Sequence, residues 1–300
     1  MPEKITFTFL GTSDAIPTVE RNHTSVLLRY KDENILIDCG EGTQRQFKRA
    51  GLSISRITRI LITHFHGDHI FGLPGLLQSL SGGGHKKTLY IYGPRGIKEF
   101  MNKLLETFLF HRDYKIEVKE AEGKFFETRD FYLAAERMTH AIHCNAYSFV
   151  KKGQIRIDKS KLRKEKIPPG PWLKNLKEGK DILYNGRKYL AKKLTYGETD
   201  RKISFVFDTS FNKNIASFVK NSDLLVSEAT FISEMEKTAG EYGHLTSRQA
   251  GEIAKKSGSK KLIITHISQR YEKEKNRILN ETKKVFRNSV LAEDLKSFEI

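Results

Sequence analysis

Thr63-His64-Phe65-His66-Gly67-Asp68-His69 holds three imidazoles and one carboxylate within the six residues from His64 to His69. The stretch directly follows the β-branched apolar run Arg59-Ile60-Leu61-Ile62. Imidazole suits zinc, and carboxylate suits a bridging position or a second ion. A single structural zinc needs fewer donors and usually recruits thiolates. Four donors this dense fit two ions held close together, the arrangement that serves in-line displacement at phosphorus. The plainer alternative is a polar loop of solvated histidines, because a short motif carries a risk of false matches.

Such donors act together only if rigid elements hold them. The β-rich segments 4–10, 25–30, 34–37, 60–62, 88–92, 115–118, 131–138, 146–150, 203–207, 223–226 and 261–264 read as strands. The segments 43–49, 69–80, 96–108, 247–256 and 272–286 read as helices, with Gly82-Gly83-Gly84 stopping the second. One pattern recurs along this alternation. Asp38, His64, His140, Asp208 and His266 each stand where a buried-looking strand ends. Any one of them alone reads as a structural polar residue. Together, beside the dense loop, they read as one site held by sheet edges.

Three hundred residues suffice for one large α/β domain or two ordinary ones. No apolar run approaches the roughly 18 residues of a membrane span, so no membrane partner is expected. Met1-Pro2-Glu3-Lys4-Ile5 lacks the basic and apolar regions of a secretory signal. Cys39 and Cys144 are the only cysteines and form no disulfide framework. A cytoplasmic location is therefore expected, with both thiols as small buried hydrophobes.

The formal net charge is +17, and what matters is where it gathers. From 151 to 193 basic residues crowd both sides of Pro168-Pro169-Gly170-Pro171: Lys159, Lys161, Arg163, Lys164 and Lys166 before it, Lys174, Lys177, Arg187, Lys188, Lys192 and Lys193 after. Acids are few and apolar residues sparse. The segment reads as a basic arm, inserted into a single domain spanning 1–300, that grips phosphates. The alternative is a solvated lysine-rich insertion.

The ordered set Asp38, His64-x-His66-x-Asp68-His69, His140, Asp208 and His266 resembles the metallo-β-lactamase superfamily. That resemblance implies an αββα sandwich with a dimetal cleft along one edge of its two sheets. Many chemistries share the scaffold, so the resemblance implies the fold and not the substrate. Phe9-Leu10-Gly11-Thr12-Ser13 is similar to the opening of the ribonuclease Z family of tRNA 3′-processing endonucleases. Ile37-Asp38-Cys39-Gly40-Glu41-Gly42-Thr43-Gln44, Gly72-Leu73-Pro74-Gly75-Leu76, Gly243-His244-Leu245-Thr246-Ser247 and Thr265-His266-Ile267-Ser268-Gln269-Arg270-Tyr271 are similar in turn. Ile167-Pro168-Pro169-Gly170-Pro171-Trp172 resembles the Pro-Gly segment of that family's flexible arm. The resemblance runs in order along essentially the whole chain.

It implies two zinc ions per subunit. His64, His66 and His140 would hold one, Asp68, His69 and His266 the other, with Asp208 bridging. Asp38 would orient a ligand, Asp68 would position the attacking water and accept its proton, and His244 would protonate the departing oxygen. Manganese or iron could occupy such donors too. The implied partners are precursor tRNA, whose folded body is recognised by shape and backbone, and a second copy of the chain. In the family's homodimer one subunit's arm serves the other's site. His23, His85, His111 and His143 match no ligand position.

Two departures stand out. The family's His-Glu-Ala-Thr reads Ser227-Glu228-Ala229-Thr230, and its Pro-x-Lys-x-Arg-Asn loop reads Pro17-Thr18-Val19-Glu20-Arg21-Asn22. The second bears on cleavage register and on handling of a 3′ CCA end. Rival readings are a small-molecule phosphodiesterase on the same fold and a non-catalytic RNA-binding protein. The first has no need of the basic arm, and the second calls for a missing ligand, which this chain does not have.

Overall fold

A computed structural model describes residues 3–300. Two seven-stranded sheets form its centre. The first runs, edge to edge, Ser297–Glu299, Ile5–Gly11, Ser25–Tyr30, Glu33–Ile37, Arg59–Leu61, Leu89–Gly93 and Ile116–Glu120. The second runs Ser289–Leu291, Leu262–Thr265, Leu224–Glu228, Arg201–Val206, Cys144–Lys151, Phe131–Met138 and Gly123–Glu127.

Strand side chains alternate faces, and the core follows that period. Phe7, Phe9, Tyr30, Tyr147, Phe149, Phe205, Val226 and Ile263 meet between the sheets. Leu27, Leu36 and Ile60 face outward onto Phe47, Leu73, Leu77 and Met101 of the helices covering the first sheet. Leu225, Leu262 and Ile264 face outward onto Ile253, Ala254 and Ile278 of the helices covering the second. Each sheet is apolar on both faces because each is covered on both. The result is the expected αββα sandwich.

The strands that carry the expected ligands share a direction. Glu33–Ile37 and Arg59–Leu61 are parallel. Arg201–Val206, Leu224–Glu228 and Leu262–Thr265 are parallel as well. Phe131–Met138 is antiparallel to Cys144–Lys151, which is antiparallel to Arg201–Val206. In each sheet these C-terminal ends therefore lie along one edge.

The helix expected over 69–80 is two helices, Gly67–Ile70 and Leu73–Gly82. Between them the chain turns aside to bond the loop after Ile37: Cys39 N donates to His69 O at 2.8 Å and Gly72 N to Cys39 O at 2.9 Å. A Cβ on Gly72 would sit 2.1 Å from Gly40 O, so only glycine allows this approach. Pro74 then opens the second helix, where a missing N–H costs nothing. The helix expected over 272–286 likewise begins as a 3₁₀ turn, Gln269–Glu274, before Lys275–Val285.

The basic segment is inserted between two neighbouring antiparallel strands, Cys144–Lys151 and Arg201–Val206. It is better ordered than its composition suggests. Ile155–Ile157 pairs with Thr195–Gly197, and Ile182–Tyr184 with Arg187–Tyr189. Short helices Lys159–Lys164 and Trp172–Lys177 pack on these through Leu162, Ile167, Leu176, Ile182, Ala191 and Leu194. Its few apolar residues are thus gathered into a small core, leaving the lysines outside.

Candidate metal centre

The two sheet edges bring every expected ligand into one cluster. Donor atoms of His64, His66, His140 and Asp208 lie within 4.8 Å of one another, as do those of Asp68, His69, Asp208 and His266. Asp208 belongs to both groups. Its Oδ1 lies 3.3 Å from His69 Nε2 and 3.2 Å from His266 Nε2, while Oδ2 lies 3.5 Å from His64 Nε2. One carboxylate thus faces both groups with different oxygens. Asp68 Oδ2 sits 3.2 Å from His69 Nε2 and 3.3 Å from His266 Nε2.

Outer bonds fix which ring nitrogen points inward. His69 Nδ1 donates to Asp38 Oδ2 at 2.6 Å, and His140 Nδ1 to the Gly243 carbonyl at 3.0 Å. His64 Nδ1 meets the Thr63 hydroxyl at 3.0 Å, which donates to Asp38 Oδ2 at 2.8 Å. Asp38 therefore orients His69 directly and His64 through Thr63. On the other sheet His266 Nδ1 meets the Thr230 hydroxyl at 3.0 Å, which donates to Glu228 Oε2 at 2.6 Å. Carboxylate partners of this kind set the tautomer and raise the basicity of metal-binding imidazoles. Asp38 and His266 both adopt left-handed backbone, φ 55° each, directly after their strands.

The inward nitrogens converge, as donors around a shared cation do. His64 Nε2 and His66 Nδ1 are 3.1 Å apart, His140 Nε2 and His66 Nδ1 3.2 Å, and His69 Nε2 and His266 Nε2 3.3 Å. Asp208 Oδ1 is buried and makes no hydrogen bond among the described residues. Burial alone would neutralise Asp68 and Asp208; the surrounding imidazoles reverse this and hold both carboxyls well below their usual range. Burial, helped by His69, pushes His64 down to about 4, leaving it a neutral donor. This donor set fits divalent metal.

Beside it stands His244. Its Nδ1 lies 3.2 Å from Glu228 Oε2, and its ring stacks on His266 at 5.4 Å. Burial opposes its protonation, but Glu228 and then Asp208 outweigh that and raise it to about 9. Glu228 is wholly buried and also accepts from the backbone N–H groups of Thr209 and Leu245, at 2.7 and 3.0 Å. Its involvement, and that of Thr63 and Thr230, went unread in the sequence; the Glu228-x-Thr230 spacing after a strand was the available signal. Ser227, at the departed family position, is buried and donates to its neighbour's carbonyl. Val19 is 97% exposed at the tip of its loop.

The set-aside histidines stay outside the cluster. His23 meets the Ala15 carbonyl and His85 the Ser55 carbonyl, while His111 and His143 are exposed. Cys39 and Cys144 are buried free thiols.

Known proteins resemble this chain in sequence and in fold. A family model described as Anti-Pycsar protein Apyc1 matches residues 5–156, which hold the metal loop and His140 but neither Asp208 nor His266. A ribonuclease Z of Bacillus cereus is 39% identical across 98% of this chain and 99% of its own length. This chain belongs to the ribonuclease Z family. A Bacillus thuringiensis member is 38% identical over the same shares. Among solved structures, human tRNase Z, short form, matches with a TM-score of 0.72 at 28% identity, over 98% of each chain. The metallo-β-lactamase fold protein YhfI of Bacillus subtilis, at 20% identity and a TM-score of 0.72, shares the fold. Family membership thus extends past residue 156, through the rest of the arm and the strands before Asp208 and His266.

Proposed function

We propose that this chain is a zinc-dependent endoribonuclease that removes the 3′ trailer from precursor tRNA. The tRNA keeps a 3′-hydroxyl and the trailer a 5′-phosphate. The observation carrying this reading is a pair of four-donor groups sharing Asp208, in a chain that aligns end to end with ribonuclease Z relatives.

His64, His66 and His140 would hold one zinc and Asp68, His69 and His266 the other, with Asp208 spanning both. Bound zinc lowers the pKa of water toward about 7 and offsets charge on phosphoryl oxygens. Asp68 orients the attacking water and accepts its proton. As water oxygen bonds to phosphorus, the bond to the 3′ oxygen breaks. His244 gives that oxygen its proton. Glu228 supports this role by taking the Nδ1–H, which leaves Nε2 facing the leaving group.

The arm, 151–193, is the tRNA-binding exosite of this single domain. Lys159, Arg163, Lys164, Lys174 and Lys177 are exposed, and none forms an ion pair among the described residues. Lys151 does not contribute, being buried toward Glu198 at 3.8 Å. The chain works as a homodimer in which each arm serves the partner's site. Buried free thiols, with no helix long and apolar enough to cross a membrane among the described residues, support a cytoplasmic enzyme.

Asp68→Ala tests the reading. Cleavage of precursor tRNA should vanish while RNA affinity, followed by filter binding, is largely kept. Wild-type turnover in this variant would sink the assignment.

A further inference from the structure

We infer that Asp294 is a positioning residue for RNA: it fastens both ends of loop 14–22 to the crossover between the two sheets and so fixes the loop's base beside the strand end that carries His266. The inference rests on the function proposed above and concerns how its cleavage register is held.

The last strands belong to different sheets. Ser289–Leu291 lies beside Leu262–Thr265 in the second, and Ser297–Glu299 beside Ile5–Gly11 in the first. Asp294 stands in the crossover between them, half-buried. Its Oδ1 accepts from Thr12 Oγ1 at 2.7 Å. Its Oδ2 accepts from the Asn22 backbone N–H at 2.8 Å and from Gln46 Nε2 at 2.9 Å. Leu295, in left-handed backbone at φ 65°, donates to Phe9 O at 2.7 Å and holds the crossover in place. One carboxylate thus joins both ends of the loop to the helix that carries Gln46.

The loop it holds is already shaped. Ser13 N donates to Asn22 O at 2.9 Å and closes the base; Thr18 N donates to Arg21 O at 2.9 Å and closes the tip. Arg21 Nε pairs with Glu272 at 3.2 Å. Ile267, next to the ligand His266, donates to Thr12 O at 3.2 Å. The loop's base therefore sits between Asp294 on one side and a metal-ligand strand on the other. A fixed base with Val19 projecting from the tip can gauge how far an RNA end advances past the metals. A charge-assisted knot of three donors is far stiffer than the turn alone. A small diester, which does not reach the tip, has no need of it.

The experiment compares Asp294→Ala and Thr12→Val with the wild type, all as full-length protein. Each is given a precursor tRNA, with its 3′ ends mapped, and bis(p-nitrophenyl) phosphate. For Asp294→Ala, kcat/KM on RNA should fall about tenfold to a hundredfold, as expected of a displaced positioning element. Its cuts should spread over neighbouring nucleotides while diester hydrolysis is retained. Thr12→Val removes one of the three bonds, should do the same more weakly, and carries the test if the first variant does not fold. Proportional loss on both substrates, or an unchanged distribution of ends, would overturn the inference while leaving the function intact. A wild type that hydrolyses the diester but leaves precursor tRNA whole would overturn both.

Discussion

At the residue scale, the candidate ligands announce themselves because their chemistry is rare and their spacing short. Three histidines and an aspartate after an apolar strand have few other uses. His140, Asp208 and His266 were legible because each follows a strand at the same edge. What stayed hidden are the groups that act through others. Glu228, Thr63 and Thr230 are common types whose role arises only when distant strands converge. The relays they form carry a consequence. Asp38→Ala removes the acceptor for His69 Nδ1 and, through Thr63, the orientation of His64. Losing such a partner typically costs about 10–100-fold in metal affinity or activity. Zinc competition against a chromophoric chelator should show that loss, and unchanged affinity would mean the Asp38 contacts are only structural.

At the element scale, the long strands and helices were legible from period and punctuation. The last two short strands were not. Ser289–Leu291 and Ser297–Glu299 are three residues each, too brief for any period to show, and they exist because the sheets offer open edges. The break at Gly72 was hidden too, since it comes from hydrogen bonds to Cys39 rather than from local propensity. The arm's internal order escaped because its apolar residues are scattered singly among lysines and meet only when its two hairpins close. The antiparallel pairing of Ile155 with Gly197 shows where the arm can be exchanged for a short turn. Such a protein should hydrolyse a small diester as the wild type does, with KM for precursor tRNA raised at least about tenfold. The steep salt dependence that phosphate contacts confer should flatten. Equal loss on both substrates would make the arm a folding element.

At the scale of the whole molecule, the donor cluster lies along the edges of both sheets and the arm extends between two strands of the second, Cys144–Lys151 and Arg201–Val206. A metal edge and an arm in separate subunits can cooperate only in an assembly. Mixing an arm-exchanged protein with Asp68→Ala, at precursor tRNA far below the raised KM so that neither cleaves appreciably alone, tests this. If arms act across a dimer, the mixed species regains one working site, and cleavage should return after subunit exchange. No recovery, with dimers confirmed by light scattering, would mean that each arm serves its own site.

Cutting precursor tRNA at its 3′ end is what separates this reading of the site from a small-molecule phosphodiesterase. The most direct measurement incubates the purified protein with a precursor tRNA carrying a 3′ trailer, with and without chelator, and maps both new ends. Chelator-sensitive cleavage next to the discriminator base is expected, leaving a 3′-hydroxyl on the tRNA and a 5′-phosphate on the trailer. Intact precursor beside ready hydrolysis of small phosphodiesters would contradict it.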